Sequence, residues 1–124
     1  MDIHNQINKI IEKTTEDKIE WKTLNPFTFR WVTVRNNIQF ITTLQVVNIP
    51  QNQIVVENVA NPIGNGTFVF TLQTLNPNET LIQLQVTSQD NREYIYELLE
   101  LYNLIIEKTK KNYSKILDSL LDSL

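Results

Sequence analysis

Hydrophobic residues recur with two different periods along this chain, and the changes of period divide it into three parts. Near the start, four isoleucines have the spacing that places side chains on one helical face: Ile3, Ile7, Ile10 and Ile11. Asp2 precedes them at the position of a helix cap. The pattern predicts an amphipathic helix over residues 3–13.

The middle of the chain alternates apolar and polar residues, which is typical of half-buried β-strands. The alternation begins at Ile19 and Trp21 and resumes after Asn25-Pro26. Asn36-Asn37 predicts a two-residue hairpin turn, because Asn tolerates the positive φ that such turns require. Further strands are predicted over residues 27–35, 38–47, 54–59, 67–74 and 80–88. Since no helix separates these segments, we expect an antiparallel meander sheet of five or six strands.

The last third of the chain returns to a helical period. Apolar and small residues step by four and three through most of it: Ile95, Leu99, Tyr102, Ile106, Thr109, Tyr113, Ile116 and Leu120. This spacing predicts one long amphipathic helix packed on one face of the sheet, with Trp21 and Trp31 beneath the helices. The expected fold is α+β, as a single domain over residues 1–124.

The predicted C-terminal helix is longer than the domain that it would cover. Over residues 91–124 it would measure about 51 Å, whereas a compact globule of this size is about 35 Å across. Residues 113–124 would then either protrude or, after a break near Lys111-Asn112, fold back. The absence of Gly and Pro favours protrusion and contact with another chain. The expected partner-binding residues are Ile116, Leu117, Leu120, Leu121 and Leu124.

Composition excludes several classes of function. The 124 residues are 41% hydrophobic and 20% charged, with a net charge of −3, which does not indicate a nucleic-acid or anionic-membrane surface. The absence of cysteine excludes disulfides and thiol catalysis. The N-terminus lacks the features of a secretory signal and no apolar run is as long as a membrane span, so a cytoplasmic protein is expected.

Few residues could carry chemistry. The single histidine, His4, lies near the N-terminus, and two glycines are too few for the usual phosphate-binding loops. The pairs Glu97/Glu100 and Asp118/Asp122 are explained by solvated helix faces. We therefore expect a protein that is not an enzyme, with no catalytic, metal or cofactor-binding residues and no cofactor.

Two other binding modes follow from the aromatic residues. A small-molecule pocket between the sheet and the C-terminal helix would be lined by Phe27, Phe29, Trp31, Phe68, Phe70 and Tyr102. The strand FTFRWVTVR also has the mixture of aromatic and basic residues that single-stranded nucleic-acid binders use, with Arg30 and Arg35 as the cations. Nucleic-acid binding is the least favoured hypothesis, because acidic residues lie nearby and the protein is acidic overall.

The run IIEKTTEDKIEW, residues 10–21, resembles the start of a loose group of small, mostly uncharacterised bacterial and phage proteins. In that group the N-terminal helix ends in a pattern similar to E-K-T-x-x-G-K-I-x-W, followed by strands and a C-terminal helix. Here Asp17 stands where the group often has Gly. The resemblance implies a helix–sheet–helix fold and a microbial or phage origin, and it implies no activity.

Together these observations predict a non-enzymatic protein–protein interaction module. An accessory, inhibitor or immunity-type factor is the expected kind of protein, self-associating as a homodimer through the C-terminal helix. The alternatives are a small-molecule-binding module and, less favoured, a single-stranded nucleic-acid binder.

Overall fold

The computed structural model describes residues 2–47 and 66–124. The strand predicted over residues 54–59 lies outside the described residues. The description below concerns the two described ranges.

These ranges form two helices and five strands. Helix α1 spans Ile3–Thr15, and strands β1 to β5 span Lys22–Asn25, Thr28–Arg35, Ile38–Val47, Thr67–Leu75 and Glu79–Val86. A short 3₁₀ turn at Arg92–Tyr94 leads into helix α2, Ile95–Asp122. This element order confirms the predicted α+β fold.

The five strands form one antiparallel sheet in the order β1-β2-β3-β4-β5, which confirms the predicted meander. The turn between β2 and β3 is the predicted Asn36-Asn37 pair, with φ angles of 54° and 63°. Positive φ at both positions is the conformation of the hairpin turns whose twist matches that of the strands. The register is set accordingly, with Arg35 opposite Ile38.

Helix α1 ends in a tight turn that fixes its length. The amide of Asp17 donates to the Thr14 carbonyl at 3.1 Å, and the amide of Lys18 donates to the Lys13 carbonyl at 2.9 Å. These two bonds are those of a Schellman motif. Asp17 occupies the left-handed position of the motif, with a φ of 61°, where Gly is most often found. The helix ends here. Strand β1 starts at Lys22, whereas the sequence predicts a start at Ile19.

A side-chain hydrogen bond of Trp21 joins the segment between α1 and β1 to helix α1. Its indole N–H donates to the hydroxyl oxygen of Thr14 at 3.0 Å, and Thr14 is buried. The ring also lies beside Trp31, with the ring centroids 6.4 Å apart. Both tryptophans are half-buried, and Trp21 packs against the core cluster.

The two helices run parallel to each other. Near their N-terminal ends, Nδ1 of His4 contacts Oε1 of Glu97. Near the C-terminal end of α1, Nζ of Lys108 donates to the Thr15 carbonyl at 3.0 Å. Both contacts join residues 93 positions apart in the chain, so the helices advance together in the same direction. Helix α1 has 13 residues and α2 has 28, and α2 therefore continues past the end of α1 beyond Lys108.

The core lies between the two helices and one face of the sheet. Rows of apolar residues cross that face from strand to strand, for example Phe29, Leu44, Phe70 and Leu84. Ile7 of α1 and the upstream part of α2 pack on these rows; the α2 residues are Ile95, Leu98, Leu99, Leu101, Tyr102 and Ile105. We call α1, the sheet and residues 95–110 of α2 the body.

The Thr14–Trp21 bond makes a prediction about stability. Replacing Thr14 by Val keeps the shape of the side chain but removes the acceptor of the indole N–H. We expect the free energy of unfolding to fall by about 1 kcal/mol, the usual net value of such a bond. Urea denaturation measures it. Thr15→Val is the matched control: its hydroxyl is exposed and donates to the Ile11 carbonyl of its own helix, so a change within about 0.5 kcal/mol is expected. Equal losses in the two variants would contradict the role given to Trp21.

Candidate functional site

Helix α2 extends well past the body. It is continuous from Ile95 to Asp122, without the break near Lys111-Asn112 that the fold-back alternative requires. Residues 111–124, here called the distal segment, are all exposed. Residues 113–124 thus extend away from the sheet.

Six large side chains of the distal segment form an uncovered apolar surface. We call this surface the distal face, and its residues are Tyr113, Ile116, Leu117, Leu120, Leu121 and Leu124. The five within the helix are each 56–60% exposed, and Leu124 is 99% exposed. At about 100° per residue those five fall within about 140° of the helix circumference. All five residues that the sequence predicts to bind a partner belong to this face.

The distal face continues the stripe that α2 buries in the core. Leu99, Ile106, Tyr113 and Leu120 are seven residues apart and therefore lie nearly on one line along the helix. Leu99 is buried, Ile106 is half-buried, and the other two are exposed. Burial is lost along this line because α1 ends at Thr15, alongside Lys108. The same apolar pattern that holds α2 on the body thus passes into solvent.

Charge is distributed unevenly along this part of α2. Four lysines lie where the helix leaves the body, here called the lysine cluster: Lys108, Lys110, Lys111 and Lys115. The two acids of the distal segment, Asp118 and Asp122, lie nearer its end. Lys108 is 2.8 Å from the Asp17 carboxylate, and this hydrogen bond and charge lower the pKa of Asp17. In this part of α2 the basic residues thus lie next to the body, and the acidic residues lie near the C-terminal end.

A groove of about 400 Å³ lies between the lysine cluster and the turn after α1. Trp21 and Ile19 contribute its apolar part, and Lys108, Lys111 and Lys115 line its α2 side. Asp17 and Glu20 line the same groove, so its positive charge is largely offset. Its chemistry does not favour a free anion as ligand.

Four of the six aromatic residues predicted to line a pocket fill the space between the sheet and α2. Phe29, Phe68, Phe70 and Tyr102 are at most 5% exposed. The Tyr102 ring packs on both Phe29 and Phe68, with centroids 5.6 and 6.0 Å apart. Burial raises the pKa of the Tyr102 hydroxyl. Phe27, by contrast, is exposed in the turn between β1 and β2.

A different apolar groove, of about 330 Å³, lies beside α1. Trp31 and Phe70, both among the predicted pocket residues, line it together with residues that the sequence interpretation missed: Ile10, Phe40, Leu72 and Ile82. Ile10 lies on α1, and the other three lie on β3, β4 and β5, so that only the cross-strand register and the packing of α1 place them together. We call this the α1 groove.

The other candidate residues are spread over the molecule. Arg30 and Arg35 lie an odd number of positions apart on β2, and their side chains therefore leave opposite faces of the sheet. His4 contacts Glu97 and stacks on Tyr94, with ring centroids 4.4 Å apart. Within residues 2–47 and 66–124, no group of three or more His, Asp or Glu is placed to hold a metal ion.

In the described part of the chain, neither helix is long and apolar enough to cross a membrane.

The chain matches no protein-family model, and it has no significant similarity to any curated protein or solved structure compared with it. The geometry of its surfaces is therefore the basis for a functional proposal.

Proposed function

We propose that this protein is a non-enzymatic protein–protein interaction module that self-associates through the distal face of α2. The observation that carries the proposal is a contiguous apolar face on a continuous helix, exposed over all of its residues. Single exposed apolar side chains are ordinary, but contiguous patches mark contact sites.

The free energy expected from burying the distal face is that of a reversible contact. Fully burying a Leu or Ile side chain contributes about 1.5–3 kcal/mol, and the aliphatic residues of the distal face are already partly covered by their own helix. Covering them gives a gross gain on the order of 5–8 kcal/mol per copy, or about 10–16 kcal/mol for two copies, from which the cost of association is subtracted. A dissociation constant of 1 μM needs about 8 kcal/mol, so we expect an affinity no tighter than micromolar.

The proposal also accounts for the polar side of the distal segment. Ser114, Asp118, Ser119 and Asp122 lie outside the apolar sector. A helix that is apolar on one side and polar on the other is suited to contact with one surface while its far side stays in water. An accessory, inhibitor or immunity-type factor, in a microbial or phage setting, is the kind of protein that works through such contacts alone.

The test is a double substitution, Leu117→Ser with Leu120→Ser. Because both side chains are more than half exposed, the body should stay folded while self-association is lost. Sedimentation velocity at about 100 μM should show an associated wild-type protein and a monomeric variant. Val34→Ser, at an exposed apolar position on β2, is the matched control and should leave association unchanged. A monomeric wild type, or a variant that associates as the wild type does, would refute the proposal.

The α1 groove favours a second candidate function, small-molecule binding. Its volume of about 330 Å³ lies at the lower end of the range for ligand pockets, and its walls are mainly apolar. A ligand there would be a small apolar or aromatic compound, with Arg35 and Gln6 as the polar groups at hand.

This candidate predicts a local response to an apolar probe. Titration with indole, followed by methyl NMR, should shift the signals of Ile10 and Ile82, which line the α1 groove. The methyl signals of Leu98, which is fully buried elsewhere in the core, should stay in place and serve as the internal reference. Indole shifts of the same size at all three residues, or none at any concentration up to its solubility, would remove the candidate.

A further inference from the structure

The distal face lies on the same side of α2 as the body. Leu99 and Ile106 face the core, and Tyr113 and Leu120 extend the same line into solvent. A partner that covers the distal face must therefore approach from the side on which the body of its own chain already lies. This fixes the directions in which a second helix can enter.

If the occupant is a second copy, a parallel arrangement is sterically unfavourable. Two parallel distal segments packed face to face would bring their upstream parts to the same level. There, each helix has its own body on the facing side, so the two bodies would occupy the same space. In an antiparallel arrangement each body lies beyond the tip of the other helix, and the two distal faces can meet.

Charge favours the same arrangement. In a parallel pair the two lysine clusters would lie at the same level, on helices whose axes are usually about 10 Å apart. In an antiparallel pair centred between Asp118 and Ser119, the clusters would lie about 22 Å apart along the axis. The Debye length at physiological salt is about 8 Å, so repulsion between the clusters is smaller in the second case. Asp122 is then level with Lys115 of the second copy, with both side chains on the sides of the helices that stay in water.

The apolar residues match in that register. With the centre between Asp118 and Ser119, Leu117 lies level with Leu120 of the second copy, and Ile116 with Leu121. Tyr113 lies level with Leu124. Each of the six residues of the distal face thus has an apolar counterpart.

We infer that the occupant of the distal face is the distal face of a second copy of this chain, running antiparallel. The inference rests on the proposed function and adds the identity and direction of the partner helix. It predicts a two-fold symmetric dimer with the two bodies at opposite ends of a short helical pair.

Engineered cysteines test the direction, because the natural chain has no cysteine. Tyr113→Cys and Leu124→Cys are prepared separately, with tags of different mass, and oxidised alone or as an equimolar mixture. Antiparallel pairing predicts that the mixture yields the mixed disulfide as its main product. Each variant alone should stay largely uncross-linked, since its two thiols would lie about 16 Å apart along the axis. Sedimentation velocity of both reduced variants checks that each still associates.

The outcomes separate this inference from the proposal on which it rests. Cross-linking of each variant alone, without excess mixed product, shows parallel pairing: the inference is then wrong while self-association stands. If the wild type does not associate, or if the Leu117→Ser, Leu120→Ser variant still does, the proposed function itself fails. The mixed disulfide, abolished by those two serines, supports both.

Discussion

The turn at Asp17, which ends α1, is the constraint on which the rest of this structure depends. The left-handed backbone of Asp17, with the two Schellman hydrogen bonds, stops α1 and directs the chain into the sheet. Trp21 then ties the returning segment to Thr14, and Lys108 bonds to the last carbonyl of α1. Because α1 stops here while α2 does not, no helix of the described residues lies beside the second half of α2.

This difference in length gives one amphipathic pattern two roles. Upstream of Lys108 the apolar stripe of α2 forms the core with α1 and the sheet, and its burial supplies stability. Downstream the same stripe forms the distal face. An isolated helix of about 14 residues is marginal in water, so the distal segment depends on its covalent continuity with the packed part of α2 and on whatever covers its apolar side. Stability and interaction are therefore linked through a single element.

Local pattern in the sequence predicts most of this fold. The change of period from about 3.6 to 2 and back places the helices and strands, and Asn36-Asn37 predicts its hairpin. The lack of Gly and Pro after Lys108 predicts that α2 stays continuous. The start of β1 was harder to place, because the side chain of Trp21 alternates as in a strand while its hydrogen bond to Thr14 keeps it outside β1.

The sequence predicts the distal face better than it predicts the α1 groove. The distal face lies on one helix, so its residues follow from helical spacing alone. The α1 groove depends on four strands, β2 to β5, being in register with one another and with α1, and no local pattern encodes that register. The same reason applies to the aromatic residues that are predicted to line a pocket. Phe68 fills the core and Trp31 borders the groove, and the sequence alone does not distinguish these two positions.

Amide hydrogen exchange along α2, at two protein concentrations, tests the central claim most directly. The claim is that the distal segment is helical beyond the body and is covered only on association. Amides of residues 113–122 should be protected at about 100 μM and should lose protection on dilution to about 1 μM, whereas those of residues 98–106 should stay protected at both. Protection of residues 113–122 that is the same at both concentrations, whether strong or absent, would contradict the account.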